Sequence, residues 1–209
     1  MKPYQIPTAP AEAELIEKRS RFIGHIRLVT TEAEALAELK AIRETHNTAN
    51  HNVYAYIVRE NNIIRCSDAG EPQGTAGQPV LNVFLKEEIT NVLCVVTRYF
   101  GGTLLGAGGL VRAYAQTAKL ALDTAGISVV RAWQRIQLTC SYAQYERLQK
   151  IAAEQGAVIE NTDFAANVTL TLLVPDTDAG AFCAHMVDVS AGTAGLVQLD
   201  TQEIPVPLP

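Results

Sequence analysis

Two glycine-rich strings on either side of an apolar run constrain this chain more than any other feature. The stretch from Cys66 to Tyr114 holds eight of the 14 glycines, first in CSDAGEPQGTAGQPVL and then in RYFGGTLLGAGGLVRAY. Glycine allows positive φ angles and lets the main chain approach another group closely, at an entropic cost to folding. The concentration therefore predicts a surface built largely from main chain. Its expected charged border is formed by Asp68, Glu71, Arg98 and Arg112.

The composition is that of a globular protein, and its charge is unevenly distributed. The 209 residues are 48% hydrophobic and 19% charged, enough for one large domain or two small ones. Residues 1–131 carry 14 basic and 13 acidic side chains, and residues 132–209 carry 3 and 9, so the two segments have net charges of +1 and −6. A nucleic-acid backbone is therefore expected to meet the first segment.

The cysteines and the hydropathy pattern favour a cytoplasmic protein with no membrane partner. Four cysteines lie far apart and form no CxxC pair, which favours reduced thiols. No signal-like apolar segment follows Met1, and no apolar run reaches the roughly 18 residues that a membrane helix needs.

Residue patterns predict an α+β protein whose first domain spans residues 1–130. The predicted elements are strands within 11–29, a helix at 32–46, strands at 53–59 and 63–66 joined by an Asn-rich turn, a helix at 77–87, a strand at 91–99 and a helix at 107–125. The strand at 91–99 has an unbroken apolar centre, which predicts burial on both faces.

A second domain is predicted at residues 131–204. Its elements are a strand at 128–140, a helix at 142–155, strands at 158–162 and 167–174, a helix from Asp176 through Val187 and a strand at 196–203. This βαββαβ order is that of a ferredoxin-like domain. Residues 205–209 contain three prolines and are expected to form a loose tail.

The segment from Gly106 to Arg112 lies between a predicted strand and a predicted helix. Free N–H groups at a helix start attract anions, and Arg112 adds a positive charge. The segment is neither a Walker A loop nor a clean dinucleotide-binding fingerprint. Anion binding and close packing of the loop against the sheet are both consistent with it.

Other polar groupings give weaker indications. The carboxylates of Asp68 and Glu71 suit acid–base work or a cation, but they also suit a turn. His46 and His51 lack zinc-site spacing, and a thiolate–imidazole pair of Cys66 with His51 is disfavoured against an inert cysteine. The motifs therefore predict no catalytic residue, metal or cofactor, and they favour a non-enzymatic protein.

Arg98, Tyr99 and Phe100 end the buried strand beside the second glycine string. An arginine and two aromatic side chains can bind phosphates and stack bases. The alternative is structural, with Phe100 in the core and Arg98 paired to Asp68 or Glu71.

Taken together, the strings ANHNVYAY, SDAGEPQGTAGQPVL and VVTRYFGGTLLGAGGLVRAY resemble the IMPACT/YigZ family over residues 15–125. The resemblance implies a first domain with the fold of the second domain of a small-subunit ribosomal protein, followed by an elongation-factor-like ferredoxin domain. It also implies a general link to translation. The positions that match the family's signature are His51, Asp68, Glu71, Pro72, Gly74, Thr75, Gly77, Arg98, Gly101, Gly102, Leu105, Gly106, Gly108, Gly109 and Arg112.

These observations support two functional hypotheses. The first is a regulator or binding module linked to translation, which contacts RNA, the ribosome or a translation factor through the glycine-rich surface. The second is an enzyme or sensor that binds a small phosphorylated ligand or nucleotide at Gly106–Arg112. In addition, the acidic second domain suits docking to a basic protein partner.

Overall fold

The computed structural model describes residues 2–208, and its contacts divide the chain into two compact units. The N-terminal unit comprises Tyr4–Val129 and the chain end from Pro205 onward, and the C-terminal unit comprises Val130–Ile204 and the first residues up to Pro3. The division falls one residue before the boundary expected from the sequence. No helix in the described part of the chain is long and apolar enough to cross a membrane.

The N-terminal unit contains an antiparallel sheet of five strands in the order β2-β3-β6-β4-β5. Its elements are β1 (Tyr4–Pro7), β2 (Ala11–Glu17), β3 (Ser20–Leu28), α1 (Glu32–Thr45), β4 (His51–Val58), a 3-10 turn (Glu60–Asn62), β5 (Ile63–Ser67), α2 (Gly77–Lys86), β6 (Val92–Tyr99) and α3 (Ala107–Ala125). The predicted helices and strands are confirmed, whereas β1 is an additional strand that the sequence pattern did not indicate.

Helices cover both faces of this sheet. The face against α2 and α3 buries Phe22, Phe84 and Tyr114, and the face against α1 buries Leu39 and Leu93. Full burial of such a side chain stabilises the fold by roughly 1.5–3 kcal/mol. Strand β6 lies in the middle of the sheet, so its residues 92–98 are buried on both faces, as its apolar centre predicts.

The C-terminal unit is a ferredoxin-like domain. Its elements are β7 (Ile127–Cys140), α4 (Tyr142–Glu154), β8 (Val158–Phe164), β9 (Val168–Pro175), α5 (Ala179–Val189) and β10 (Gly195–Pro207). The order of these elements along the chain is the predicted βαββαβ. In the sheet, β7 pairs with β9, β9 with β8, and both β1 and β10 pair with β7. Helix α5 begins after Asp178, not after Asp176 as predicted.

The prediction of a loose tail at residues 205–209 is wrong for Pro205–Pro207, because β10 continues through Pro207, and Pro209 lies outside the described residues. Successive N–H groups of a strand point to opposite sides, so prolines two residues apart remove donors from one side only. Pro205 and Pro207 follow this spacing. After Pro207, the N–H of Leu208 donates to the carbonyl of Ile127 at 2.8 Å.

Candidate functional site

A buried polar network lies beneath the two glycine strings. Arg98 Nη1 donates to Glu71 Oε1 at 2.6 Å, and the side chains are 7% and 3% exposed. The Tyr114 hydroxyl donates to the same oxygen at 2.7 Å, and Arg98 Nη2 donates to Ser20 Oγ at 3.4 Å. Four segments are thereby joined: β3, the first glycine string, β6 and α3.

Burial raises the pKa of Tyr114, and its hydrogen bond to Glu71 raises it further. The phenol is therefore a permanent donor, which suits a structural role. The expectation that Glu71 and Arg98 border an exposed surface is wrong, because pairing lets both charges lie inside the unit.

His51 lies at the edge of this network. Its Nδ1 is 3.0 Å from the carbonyl oxygen of Ala69, so this nitrogen carries the hydrogen. Its Nε2 is 3.8 Å from Glu71 Oε2, beyond hydrogen-bond distance. The imidazole therefore holds the turn at Ala69 in place beside the buried carboxylate.

Asp68 organises the first glycine string and the start of α2. Its carboxylate accepts three main-chain N–H groups, from Gly74 at 2.8 Å, Ala76 at 3.0 Å and Gly77 at 2.8 Å. Partial burial raises the pKa of Asp68, but the three donors together outweigh burial and leave this pKa below its usual value. The same string is closed by the Thr75 hydroxyl, which donates to the Pro72 carbonyl at 2.7 Å.

Asp68 and Glu71 do not converge on a shared site. Asp68 accepts N–H groups at the start of α2, whereas Glu71 is buried in an ion pair with Arg98. Within residues 2–208, no three His, Cys, Asp or Glu side chains are grouped so as to hold a metal ion. Burial raises the pKa of Cys66, and the charge of Asp68 raises it further, which disfavours the thiolate that a Cys66–His51 pair would need.

Gly101 lets the second string pack directly on the β2–β3 hairpin. A Cβ atom at this position would lie 2.0 Å from the carbonyl carbon of Arg19, closer than any side chain allows. The N–H of Gly101 also donates to Ser20 Oγ at 3.3 Å. This glycine is therefore required by packing.

The rest of the second string forms an exposed strip, which we call the glycine-rich surface and define as residues 100–112. Gly102, Gly106 and Gly108 are exposed, as is Arg112, whereas Leu105 and Leu110 anchor the strip to the core. Gly106 begins α3 at φ +73° without a side-chain cap. The first N–H groups of the 19-residue helix therefore have no capping side chain, and they carry the partial positive charge of a helix start.

Gly108 and Gly109 differ in their surroundings. A Cβ at Gly108 would meet only the flexible guanidinium of Arg112, at 3.6 Å, whereas one at Gly109 would press on Leu105 at 3.0 Å. Packing therefore explains the glycine at 109 and does not explain the one at 108. Gly74 also has open space around it, but its φ of +76° requires glycine.

Two basic residues near this surface were not singled out from the sequence. Lys18 and Arg19 form the β2–β3 turn, with φ angles of 46° and 67°. Glu17, Lys18, Leu105, Gly109, Arg112, Ala113 and Gln116 line a cavity of about 130 Å³ between this turn and α3. Two adjacent basic residues lack the Asn-Gly signal of such turns, so the hairpin tip could not be recognised in advance.

The structure thus separates the expected site residues into two groups. Glu71 and Arg98 are internal, His51 is partly buried at their edge and Asp68 is a helix cap, whereas Gly102, Gly106, Gly108 and Arg112 belong to the exposed surface. Phe100 is 44% exposed, so its expected alternative place in the core is wrong, while the alternative pairing of Arg98 with Glu71 is confirmed.

Comparison with known proteins gives matches over both units. Residues 18–122 match the family model described as the Impact N-terminal domain, and residues 138–193 match one described as a domain of unknown function, DUF1949. The chain is 33% identical to IMPACT family member YvyE of Bacillus subtilis (strain 168), covering 88% of this chain and 86% of that protein.

Two further matches span nearly the whole chain. IMPACT family member YigZ of Escherichia coli (strain K12) is 30% identical over 96% of this chain and 100% of its own length. A solved structure, described as the crystal structure of an hypothetical protein, has a TM-score of 0.60 and 30% identity, and the match covers 96% of this chain and 98% of that one.

Proposed function

Because this chain belongs to the IMPACT family, we propose that it is a cytoplasmic binding module of the translation machinery that contacts RNA through the glycine-rich surface. The observation that carries the proposal is the exposed main chain at the start of α3 next to Arg112, which forms no ion pair within the described residues. Main-chain N–H groups and arginine are both common phosphate contacts in nucleic-acid complexes.

A local contact of this kind fits the charge of the N-terminal unit. Residues 4–129 carry 12 basic and 13 acidic side chains, a net charge of −1, which does not support a broad electrostatic grip on RNA. Phosphate recognition by a few N–H groups and one arginine needs only a local patch. The expected affinity is accordingly modest and strongly dependent on salt.

Exposed apolar side chains on the same strip suit unpaired bases. Phe100 is 44% exposed and Leu104 is 82% exposed. The Arg98 guanidinium carbon lies 5.5 Å from the centre of the Phe100 ring and supports it from one side. Stacking of a base on an aromatic ring contributes about 1–3 kcal/mol and tolerates any base. Single-stranded RNA is therefore the favoured partner.

The buried network makes this surface rigid before binding. Arg98, Glu71, Tyr114 and Ser20 connect the strand before the surface, the helix after it and the hairpin beside it. A preorganised surface loses less conformational entropy on association. The charged residues beneath the surface therefore act by positioning it, not by touching RNA.

The test is binding of a fluorescent single-stranded RNA by the full chain, together with co-sedimentation with ribosomes at low salt. Arg112→Ala should weaken binding and reduce the slope of log K against log salt by about 0.7, the value for one phosphate contact. Lys40→Ala is the matched control, since it removes one positive charge from α1 on the opposite face of the sheet. Wild-type protein that binds neither RNA nor ribosomes, or equal loss in both variants, would contradict the proposal.

A further inference from the structure

We infer that the cavity between the β2–β3 hairpin tip and α3 is a phosphate-binding pocket, in which Lys18, Arg112 and Gln116 hold a single phosphate group. The inference deepens the proposed function and rests on it for the source of that phosphate, the RNA backbone. It adds Lys18 and Gln116, from outside the glycine-rich surface, to the contacts with RNA.

The size of the cavity favours a single small group. Its volume is about 130 Å³, whereas pockets for whole small molecules are roughly 300–1,000 Å³. A nucleotide does not fit inside, but a phosphate group of a chain that passes over the rim does. Gly109 contributes to the lining without a side chain.

The charges lining the cavity are unbalanced. Among the described residues, the side chains of Lys18 and Arg112 form no ion pair or hydrogen bond. By contrast, Arg21 pairs with Glu14 at 2.7 Å, Arg27 with Glu12 at 3.1 Å and Lys119 with Glu87 at 2.9 Å. One carboxylate, that of Glu17, also lines the cavity, so two cations face one anion. A bound phosphate would balance this charge.

The donors available suit phosphate chemistry. The ammonium of Lys18 offers three hydrogens, the guanidinium of Arg112 offers a planar fork for two oxygens, and the Gln116 amide offers two more hydrogens. The side-chain amide of Gln116 forms no hydrogen bond within residues 2–208. Three donors from two separate elements therefore surround the cavity with their hydrogens uncommitted.

The hairpin turn keeps a lysine in an unfavourable conformation. Lys18 and Arg19 both have positive φ, at 46° and 67°, where Asn and Gly are strongly preferred. Strained backbone of this kind often accompanies a functional side chain. Replacing Lys18 with Asn should relieve the strain and remove the charge at once, which makes it an informative substitution.

The experiment uses the full chain and compares Lys18→Asn, Arg112→Gln and the double variant, with Lys40→Gln as the charge-matched control. If Lys18 and Arg112 hold the same phosphate, each single variant lowers the salt slope for single-stranded RNA by about 0.7, and the double variant lowers it by no more. Two separate phosphate contacts would instead lower it by about 1.4 in the double variant and would overturn the inference.

A second arm titrates inorganic phosphate while the amide resonances of Gly109 and Gln116 are followed by NMR. The expected result is a saturable shift in wild type and Lys40→Gln that is lost in Lys18→Asn. Weaker RNA binding by Arg112→Gln, with Lys18→Asn matching wild type in both arms, would overturn the pocket and leave the proposed function standing. A phosphate response without RNA binding would support the pocket for a free phosphorylated ligand and refute the RNA role. If wild type neither binds RNA nor responds to phosphate, both the pocket and the proposed function are refuted.

Discussion

Arg98 Nη1 and Glu71 Oε1 lie 2.6 Å apart in the interior of the N-terminal unit, where both side chains are more than nine-tenths buried. The pair connects the central strand β6 to the first glycine string, and Tyr114 connects the same carboxylate to α3. The three side chains therefore connect the segments that lie beneath the glycine-rich surface.

Breaking this ion pair should destabilise the protein strongly. Glu71→Gln or Arg98→Met leaves one buried charge uncompensated, and we expect a loss of about 3–5 kcal/mol in the free energy of unfolding. Urea denaturation of wild type and each variant measures this loss in the free energy of unfolding. The control is Asp123→Asn, which breaks the exposed pair with Lys119 and should cost about 1 kcal/mol at most. A loss below about 1 kcal/mol for both buried variants would refute the role of the pair.

The carboxylate of Asp68 should stabilise the start of α2. Asp68→Ala removes the acceptor of three main-chain N–H groups and should cost about 2 kcal/mol at neutral pH. Because the pKa of Asp68 is lowered in the folded state, this stabilisation is complete above the unfolded pKa of about 3.9 and is lost as the pH falls through the lower folded value. The difference between wild type and variant should therefore shrink on acidification. A difference that stays constant down to strongly acidic pH would contradict this.

Two glycines of the second string should respond in opposite ways to alanine. Gly101→Ala forces a Cβ against the main chain of Arg19 and should destabilise the fold by about 1–3 kcal/mol. Gly108→Ala, at a helical position, brings only an ordinary contact with the flexible guanidinium of Arg112 and should leave stability unchanged or raise it by up to about 1 kcal/mol. If a ligand approaches the main chain at Gly108, the same substitution weakens RNA binding. Unchanged binding by a stable Gly108→Ala protein would count against close approach there.

The buried His25 should make stability depend on pH near neutrality. Its Nδ1 is 3.0 Å from Glu12 Oε1 and its Nε2 is 3.3 Å from Thr97 Oγ1. Burial lowers the pKa of His25 and outweighs the opposing effect of Glu12. The stability that depends on a neutral His25 is therefore fully present above the unfolded pKa of about 6.5. It is lost as the pH falls from there through the lower pKa of His25 in the folded state.

The measurement is the free energy of unfolding of wild type, His25→Gln and the control His185→Gln between mildly alkaline and mildly acidic pH. Wild type and His185→Gln, whose substituted residue is exposed, should lose stability together on acidification. His25→Gln should lose less. Parallel curves for all three proteins would show that His25 is not responsible.

Local patterns were sufficient for most of the fold. The apolar run of β6 predicted a strand buried on both faces, and Gly126 marked the end of α3. Strand β1 was missed because four residues that include a proline carry too little pattern. A high proline content at residues 205–209 predicted a loose chain end. The structure shows instead that Pro205 and Pro207, two residues apart, leave the N–H donors on the other side of β10 available.

The site was less predictable because its assignments depend on contacts between distant residues. Sequence composition alone could not decide whether Arg98 faced solvent or paired with Glu71, and only the tertiary structure places them 2.6 Å apart. Lys18 gave no local signal, since a Lys-Arg turn is unusual, and its proximity to Arg112 arises from the packing of Gly101 on the hairpin.

Amide hydrogen exchange of the full chain, with and without single-stranded RNA at low salt, measures whether RNA binds at the glycine-rich surface. We expect slower exchange on binding at Gly102–Arg112 and at Lys18–Arg19, with residues 130–204 unchanged. Protection confined to residues 130–204, or no change at the glycine-rich surface while RNA is bound, would contradict it.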